Sequence, residues 1–303
     1  MRVFVTGATG YVGSAVAAGL ARGGHEVVGL VRSNEKAARL EALEVRTAIG
    51  SMGDPASYRE AARTSQVIIH CAAEYSRAYF ELDRKTIDAC LAIAREAGQP
   101  RLFLYTSGAW VYGETGDEMA DEESPLNPPA FVSKRVEHEK LVLAANQGKV
   151  RTLVVRPGCV YGGRGGLTAA WFEGAVKEGA ARIIGDGGFR WTMVHVDDLA
   201  DAYLKAAESP WAGEVFNFTD RSRFTVLECA QAAAGAAGAG GKVNKVPLAE
   251  ATRTLGAYAE CLTLNQHVDS RKAVRMLGWQ PRHGGFVDGA ARYFAAWRAL
   301  AKR

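Results

Sequence analysis

The residues readiest for chemistry stand at the start of the chain. Arg2-Val3-Phe4-Val5 reads as a buried strand and runs directly into Thr6-Gly7-Ala8-Thr9-Gly10-Tyr11-Val12-Gly13, after which an alanine-rich amphipathic stretch begins. Three glycines at this spacing, between a strand and a helix, suit the binding of a pyrophosphate. Gly7 permits a tight turn, Gly10 lets the backbone approach the phosphates, and Gly13 lets the helix pack closely on the strand. Thr9, Tyr11 and Val12 lie between and beside them, and the first N–H groups of the helix meet the phosphate charge. The expected ligand is a dinucleotide. Its kind is read about 20 residues further on, where an acid at the end of the second strand would hold ribose hydroxyls. The chain has Val27-Val28-Gly29-Leu30-Val31-Arg32-Ser33 there, with no acid. The Arg32 guanidinium can grip a 2′-phosphate with two hydrogen bonds, and Lys36 adds charge nearby. The expected cofactor is therefore NADP(H).

Such residues need a scaffold that gathers strand ends. Strand-like runs at Val3–Thr6, Glu26–Val31, Glu44–Ala48, Val67–Cys71, Arg101–Thr106 and Thr152–Arg156 alternate with helical patterns, notably Val12–Arg22, Tyr79–Ala97 and Ser133–Ala145. Repeated strand–helix–strand units predict an α/β fold: a Rossmann-type, doubly wound parallel sheet with helices on both faces. Past residue 160 the rhythm changes. A glycine loop at 162–166 precedes a helix over Ala169–Glu178 and a strand over Arg182–Ile184. Val194-His195-Val196 reads as a short strand, and Asp197-Asp198 as the cap of a helix running to Ala207. Glu214–Phe218 returns to the sheet, and the small-residue tract Ala232–Gly241 reads as a helix end and turn. The domain reading is an NADP-binding Rossmann domain over 1–160. Residues 161–303 form a mainly substrate-binding region with some segments returning to the sheet.

Composition sets outer bounds. The 303 residues are 48% hydrophobic and 23% charged, enough apolar material for a sizeable core in a soluble protein. The net charge of +4 is spread along the chain without a basic block interleaved with aromatics, so nucleic acid is not an expected partner. Cys71, Cys90, Cys159, Cys229 and Cys261 form no C-x-x-C pair and have no histidines at metal-ligand spacing. Most sit in apolar runs and behave as small hydrophobes, which fits a reducing, cytoplasmic setting. No apolar stretch is long enough to span a membrane, and a first strand beginning at residue 2 leaves no place for a secretory signal.

Beyond the glycine turn, the chain resembles the extended short-chain dehydrogenase/reductase family, in its NAD-dependent epimerase/dehydratase branch. The likeness covers nearly the whole length. Thr6–Gly13 is similar to its glycine motif, His70-Cys71-Ala72-Ala73 to the end of its fourth strand, and Tyr105-Thr106-Ser107-Gly108-Ala109-Trp110-Val111-Tyr112-Gly113 to its fifth-strand segment. Arg156-Pro157-Gly158-Cys159-Val160-Tyr161-Gly162 and His195-Val196-Asp197-Asp198-Leu199 resemble two later landmarks. The resemblance implies that Ser51 and Met52 approach the adenine, that Cys71, Ala72, Ala73 and Thr106 line the cofactor, and that Pro157 and Val160 border the nicotinamide. It also implies a Tyr-x-x-x-Lys pair on one helix face, the lysine favouring ionisation of the tyrosine and holding the nicotinamide ribose. Taking Ser133-Lys134 as the register, Lys134 is the lysine and Ala130 stands where the tyrosine belongs. The neighbouring register offers Phe131 and Arg135. The family's catalytic hydroxyl falls on Gly108, with Ser107 and Thr106 adjacent.

Three functions follow from this reading. The first is an NADPH-dependent reductase of a small or medium apolar or aromatic carbonyl, enone or imine, working without the usual tyrosine. Lys134, Ser107 and Tyr75 are its candidate catalytic residues. Glu74, Tyr79, Phe80, Trp110, Trp171, Phe172 and Trp191 are expected around the substrate, though Trp171 and Phe172 suit a core equally well. The second is an NADP-binding sensor or interaction protein without catalysis. The third is a nucleotide-sugar epimerase or dehydratase, with Arg190 as a phosphate ligand; Cys159 stands where its members carry asparagine, and Glu260–Asn265 shows no arginine-glycine-aspartate pattern. The expected assembly is a monomer or a homodimer. The stripe Ile87, Leu91 and Ala94 could serve either a partner helix or the sheet.

Overall fold

The computed structural model describes residues 1–74, 76 and 78–301. Seven parallel strands form one sheet. Across it they run Glu214–Phe218, Val150–Pro157, Arg101–Thr106, Val67–His70, Arg2–Thr6, Glu26–Val31 and Arg46–Ile49. Strands covered on both faces read as near-continuous runs of branched apolar residues, and Val67-Ile68-Ile69 and Leu153-Val154-Val155 are of that kind. Because side chains alternate across a strand, neighbours in Val3-Phe4-Val5 enter opposite layers. Val3 and Val5 pack with Val16, Leu20, Leu199, Tyr203 and Trp279 beneath the helices Tyr11–Arg22 and Val196–Glu208. Phe4 packs with Ile68, Phe103, Ile87, Leu91 and Val142 beneath the helices Tyr79–Glu96 and Ser133–Ala144. Ile87, Leu91 and Ala94 are thus the sheet-facing stripe of their helix.

The chain leaves the central strand Arg2–Thr6 in both directions, toward Glu26–Val31 and toward Val67–His70. This reversal opens a crevice at the strands' carboxyl ends, where ligands bind in such sheets. The C-terminal region builds a third apolar cluster. Tyr161, Trp171, Phe172, Ile183, Met193 and Phe286 meet between the helices Ala169–Glu178, Val226–Ala236 and Phe286–Ala301. Trp171 and Phe172 are therefore core residues. Trp191 packs against this cluster too, stacking on Trp171 at 5.3 Å.

Among the described residues, three strand pairs lie outside the main sheet: Cys159–Tyr161 with Met193–His195, Ala181–Ile184 with Val243–Val246, and Met119–Ala120 with His267–Val268. The helix after Met193–His195 starts at Val196, and its cap is His195, whose ring accepts from the Asp197 N–H; Asp197 and Asp198 sit in the first turn instead. No helix of the described residues is long and apolar enough to cross a membrane.

Candidate functional site

A cavity of about 530 Å³ runs along the carboxyl ends of the strands. Arg32, Ser51 and Met52 line it beyond the second and third strands. The glycine turn and Cys71, Ala72 and Ala73 form its middle. Thr106, Ser107, Trp110, Phe131, Arg135, Pro157 and Val160 close it beyond the fifth and sixth.

The middle is built by steric necessity. Gly7 has φ +70°, and a Cβ there would lie 2.6 Å from the Ala72 backbone. A Cβ on Gly13 would lie 2.2 Å from the Gly7 carbonyl oxygen. The helix Tyr11–Arg22 begins at Gly10 with no side-chain cap and no acid in its first turn. Its first N–H groups and the positive end of its dipole are therefore left to a bound anion. The loop at 162–166 leans over the turn: the Tyr11 hydroxyl donates to the Gly162 carbonyl at 2.6 Å, and Arg164 donates to the Thr9 carbonyl at 3.2 Å. Burial pushes the Tyr11 phenol far above its ordinary range.

At one end Arg32 holds Glu74 at 3.3 Å, both side chains being well exposed. An exposed pair of this kind contributes at most about 1 kcal/mol, so a dianionic phosphate can displace it. Glu74 belongs to this end and not to the aromatic lining where the sequence placed it.

The other end differs from expectation in one register. Lys134 is exposed, pairs with Glu137 at 3.0 Å, and does not line the cavity; Ala130 is exposed as well. Phe131 and Arg135 line it in their stead. Phe131 lies in the short 3-10 turn Ala130–Val132 that leads into the helix Ser133–Ala144, and Arg135 in the first turn of that helix. Arg135 donates to the Thr106 carbonyl at 2.9 Å and, through its other terminal nitrogen, to the Tyr79 hydroxyl. Tyr79 is buried and lines the cavity, with the Arg135 guanidinium 5.5 Å from its ring centre. Trp110 and Phe131 both pack on Tyr258, at 5.9 and 5.0 Å between ring centres. Phe80 turns away, edge-on to His138 at 6.1 Å. Tyr75 lies outside the described residues.

Two hydroxyls expected here behave differently. Thr106 is engaged behind the cavity, its Oγ1 2.6 Å from the Tyr203 hydroxyl and donating to Cys71 Sγ at 3.4 Å. Ser107 Oγ is buried with no hydrogen-bond partner. That oxygen has almost no accessible surface, so although Ser107 lines the cavity its hydroxyl lies behind the wall. Burial pushes the Cys71 thiol up to about 11 and Cys159 up to about 12, so both are protonated, weakly polar wall residues.

Two buried polar networks hold this end in place. Asp83 accepts from His70 at 3.0 Å, His138 at 2.6 Å and Tyr105 at 2.8 Å, and His70 reaches Thr6 Oγ1 at 2.6 Å. Burial pushes the Asp83 carboxyl up, but bonds from His138 and His70 outweigh it and leave it well below the usual carboxylate range. Arg156 donates to Glu139 at 2.6 Å and to the Tyr112 hydroxyl at 2.8 Å. Arg190 is tied to the Arg223 carbonyl at 2.9 Å and has His267 as a neighbour. Sequence reasoning offered the register with Phe131 and Arg135 but took Lys134 as the lysine; the structure puts Arg135 at the cavity. Its signal was the inward set Val132, Arg135, His138, Glu139 and Val142, whose steps of three and four residues mark one helix face.

A parallel sheet of this order, with a glycine turn at its switch point and an unclaimed helix end facing a cavity, defines a Rossmann-type dinucleotide-binding protein. The glycine cradle and the open helix end at Gly10 fit a nicotinamide dinucleotide. The NAD dependent epimerase/dehydratase family matches residues 3–218, and the chain belongs to that family. Among its relatives is the 4-hydroxy-2-methyl-3-oxo-4-farnesyl-3,4-dihydroquinoline-1-oxide ketoreductase of Stigmatella aurantiaca, 30% identical over 73% of this chain and 68% of that one. The UDP-glucose 4-epimerase of Mycolicibacterium smegmatis is 28% identical over 93% of this chain and 94% of its own. The fold matches the dTDP-glucose 4,6-dehydratase DesIV of Streptomyces venezuelae, solved with NAD and TYD bound. That match has a TM-score of 0.85 and 22% identity, covering 100% of this chain and 98% of that one.

Proposed function

We propose that this protein is an NADPH-dependent reductase of a small or medium apolar or aromatic carbonyl compound. The observation that carries the reading is the cavity itself. It runs from an arginine at the second strand, over a glycine turn, to a wall of Trp110, Phe131, Val132 and Leu167. The helix end at Gly10 takes the pyrophosphate, and Arg32 exchanges Glu74 for the 2′-phosphate. Pro157 and Val160 border the nicotinamide, which supplies a hydride when bound in its reduced form. The aromatic wall excludes water and selects rings over sugars. The ketoreductase likeness supports the same substrate class.

The test is a side-by-side titration of NADPH and NADH by nucleotide fluorescence, followed by ketones, enones and cyclic imines with loss of cofactor absorbance. Tighter NADPH binding and turnover of a ring carbonyl are expected. Equal affinity would sink the role of Arg32. Cofactor binding without turnover of any class would favour a sensor. A second reading, a nucleotide-sugar epimerase or dehydratase, is favoured by the epimerase likeness over nearly the whole chain, and adding UDP- and dTDP-sugars to the panel tests it.

A further inference from the structure

Building on the NADPH reading above, we infer that Glu74 is a second specificity-determining residue at the adenosine end of the cavity, and that it opposes Arg32. In a sheet of this kind the acid that accepts from ribose hydroxyls stands at the end of the second strand. This chain has Leu30-Val31-Arg32-Ser33 there. A carboxylate reaches the same place from another strand. Glu74 follows Ala72 and Ala73 beyond Val67–His70, lines the cavity, and stands 3.3 Å from the Arg32 guanidinium. It is the only acid among the described residues that line the cavity. The central strand Arg2–Thr6 lies between the two strands that carry the pair, so Arg32 and Glu74 meet across its carboxyl end, beside the glycine turn. With side chains 62% and 45% exposed, each has room to turn from its partner to a ligand.

The two dinucleotides differ at this end by one group. A ribose 2′-hydroxyl can donate a hydrogen bond, and an ionised carboxylate only accepts, so Glu74 suits the hydroxyl. A 2′-phosphate is an anion, which a guanidinium grips with two bonds and a carboxylate repels. When NADPH binds, Arg32 leaves Glu74 for the phosphate, and the carboxylate stays behind as a neighbouring like charge. When NADH binds, Glu74 accepts from the hydroxyl, and Arg32 has no phosphate to hold. The preference for one cofactor is therefore the difference between an attractive contact and a repulsive one. Water and salt screen both, so each shifts affinity by a small factor and not by orders of magnitude.

The experiment titrates NADPH and NADH by nucleotide fluorescence against the wild type, Glu74→Gln and Arg32→Gln, at about 0.05 M and about 0.5 M salt. Glu74→Gln should bind NADPH about 2–5-fold more tightly and NADH more weakly by a similar factor. Arg32→Gln should weaken NADPH and leave NADH nearly unchanged. The gain in NADPH affinity of Glu74→Gln should shrink at the higher salt. Weaker NADPH binding by Glu74→Gln would overturn the inference, because Glu74 would then serve only to hold Arg32 in place. Equal changes for both nucleotides, or no change for either, would overturn it too. If Arg32→Gln binds NADPH as the wild type does, the role of Arg32 falls, and the NADH titration of Glu74→Gln still decides the role of Glu74. A wild type that binds neither nucleotide would overturn the dinucleotide reading and this inference with it.

Discussion

Replacing Asp83 by asparagine separates a carboxylate from the space it fills. The Asp83 side chain is 2% exposed and receives three hydrogen bonds, from His70, His138 and the Tyr105 hydroxyl. An asparagine oxygen can retain His138 and Tyr105, and its NH₂ then faces His70, which accepts only by changing tautomer and turning Nδ1–H onto Thr6. The charge assistance of the remaining bonds is lost, at about 1.5–3 kcal/mol, and the less favourable His70 tautomer adds to it. A net loss of about 3 kcal/mol is expected, which lowers the melting temperature by roughly 6–12 °C. The acid dependence carries a sign. The folded-state carboxyl is held below its unfolded value by His138 and His70. Its contribution is therefore complete above the unfolded value near ~3.9 and is lost as pH falls through the folded one. The wild type should exceed Asp83→Asn by a constant margin from pH 5 to 8 in urea unfolding, and the margin should shrink only below about pH 4. Cofactor affinity should fall as well, because the network joins Thr6, next to the glycine turn, to His138, one turn beyond Arg135. A variant within about 1 kcal/mol of the wild type at pH 7, or a margin that widens in acid, would refute this reasoning.

Other outcomes are set by the same geometry. Gly13→Ala drives a Cβ to 2.2 Å from the Gly7 carbonyl oxygen; NADPH binding should be lost, and stability should fall by about 1–3 kcal/mol, read by fluorescence titration and urea melts. Lys134→Ala removes an exposed side chain paired only with Glu137 among the described residues; stability should move by less than about 0.5 kcal/mol, and turnover should stay within about twofold, a ΔΔG‡ below ~0.5 kcal/mol. His195 is lowered to about 4 by burial and by His283. The unfolded chain thus takes up a proton near pH 6.5 that the folded one resists, and stability falls as pH drops from about 6.5 to about 4. His195→Asn keeps a capping acceptor and should shrink the difference in urea stability between pH 7 and 4.5 by about 2 kcal/mol.

The legible parts of the fold are those with a local cause. Glu26–Val31 and Arg101–Thr106 occupy the spans their apolar runs announce, because a parallel strand covered on both faces is apolar along most of its length. The glycine turn was legible for a similar reason: a positive φ at Gly7 and the contact at Gly13 are demands of the turn itself. Met119–Ala120 and His267–Val268 were not, since two-residue strands are fixed by a partner far along the chain. Trp191 read as substrate wall because aromatic character alone does not distinguish a cavity from a core. Its stacking on Trp171 decides that.

The register of the helix Ser133–Ala144 shows why the site was harder to read than the fold. One residue along a helix turns a side chain by about 100°, which suffices to carry a cation from the cavity into water. Hydrophobic periodicity normally marks the inward face. Here that face carries Arg135, His138 and Glu139, so a count of apolar residues sees a solvent-exposed helix. Their burial depends on partners supplied by other strands and helices: Thr106 and Tyr79 for Arg135, Asp83 for His138, and Arg156 for Glu139. Each partner is a polar group that would itself be costly to bury alone. The helix orientation and the cavity wall are thus specified jointly by residues from four separate segments, and the identity of the cation facing the cavity follows from all of them together.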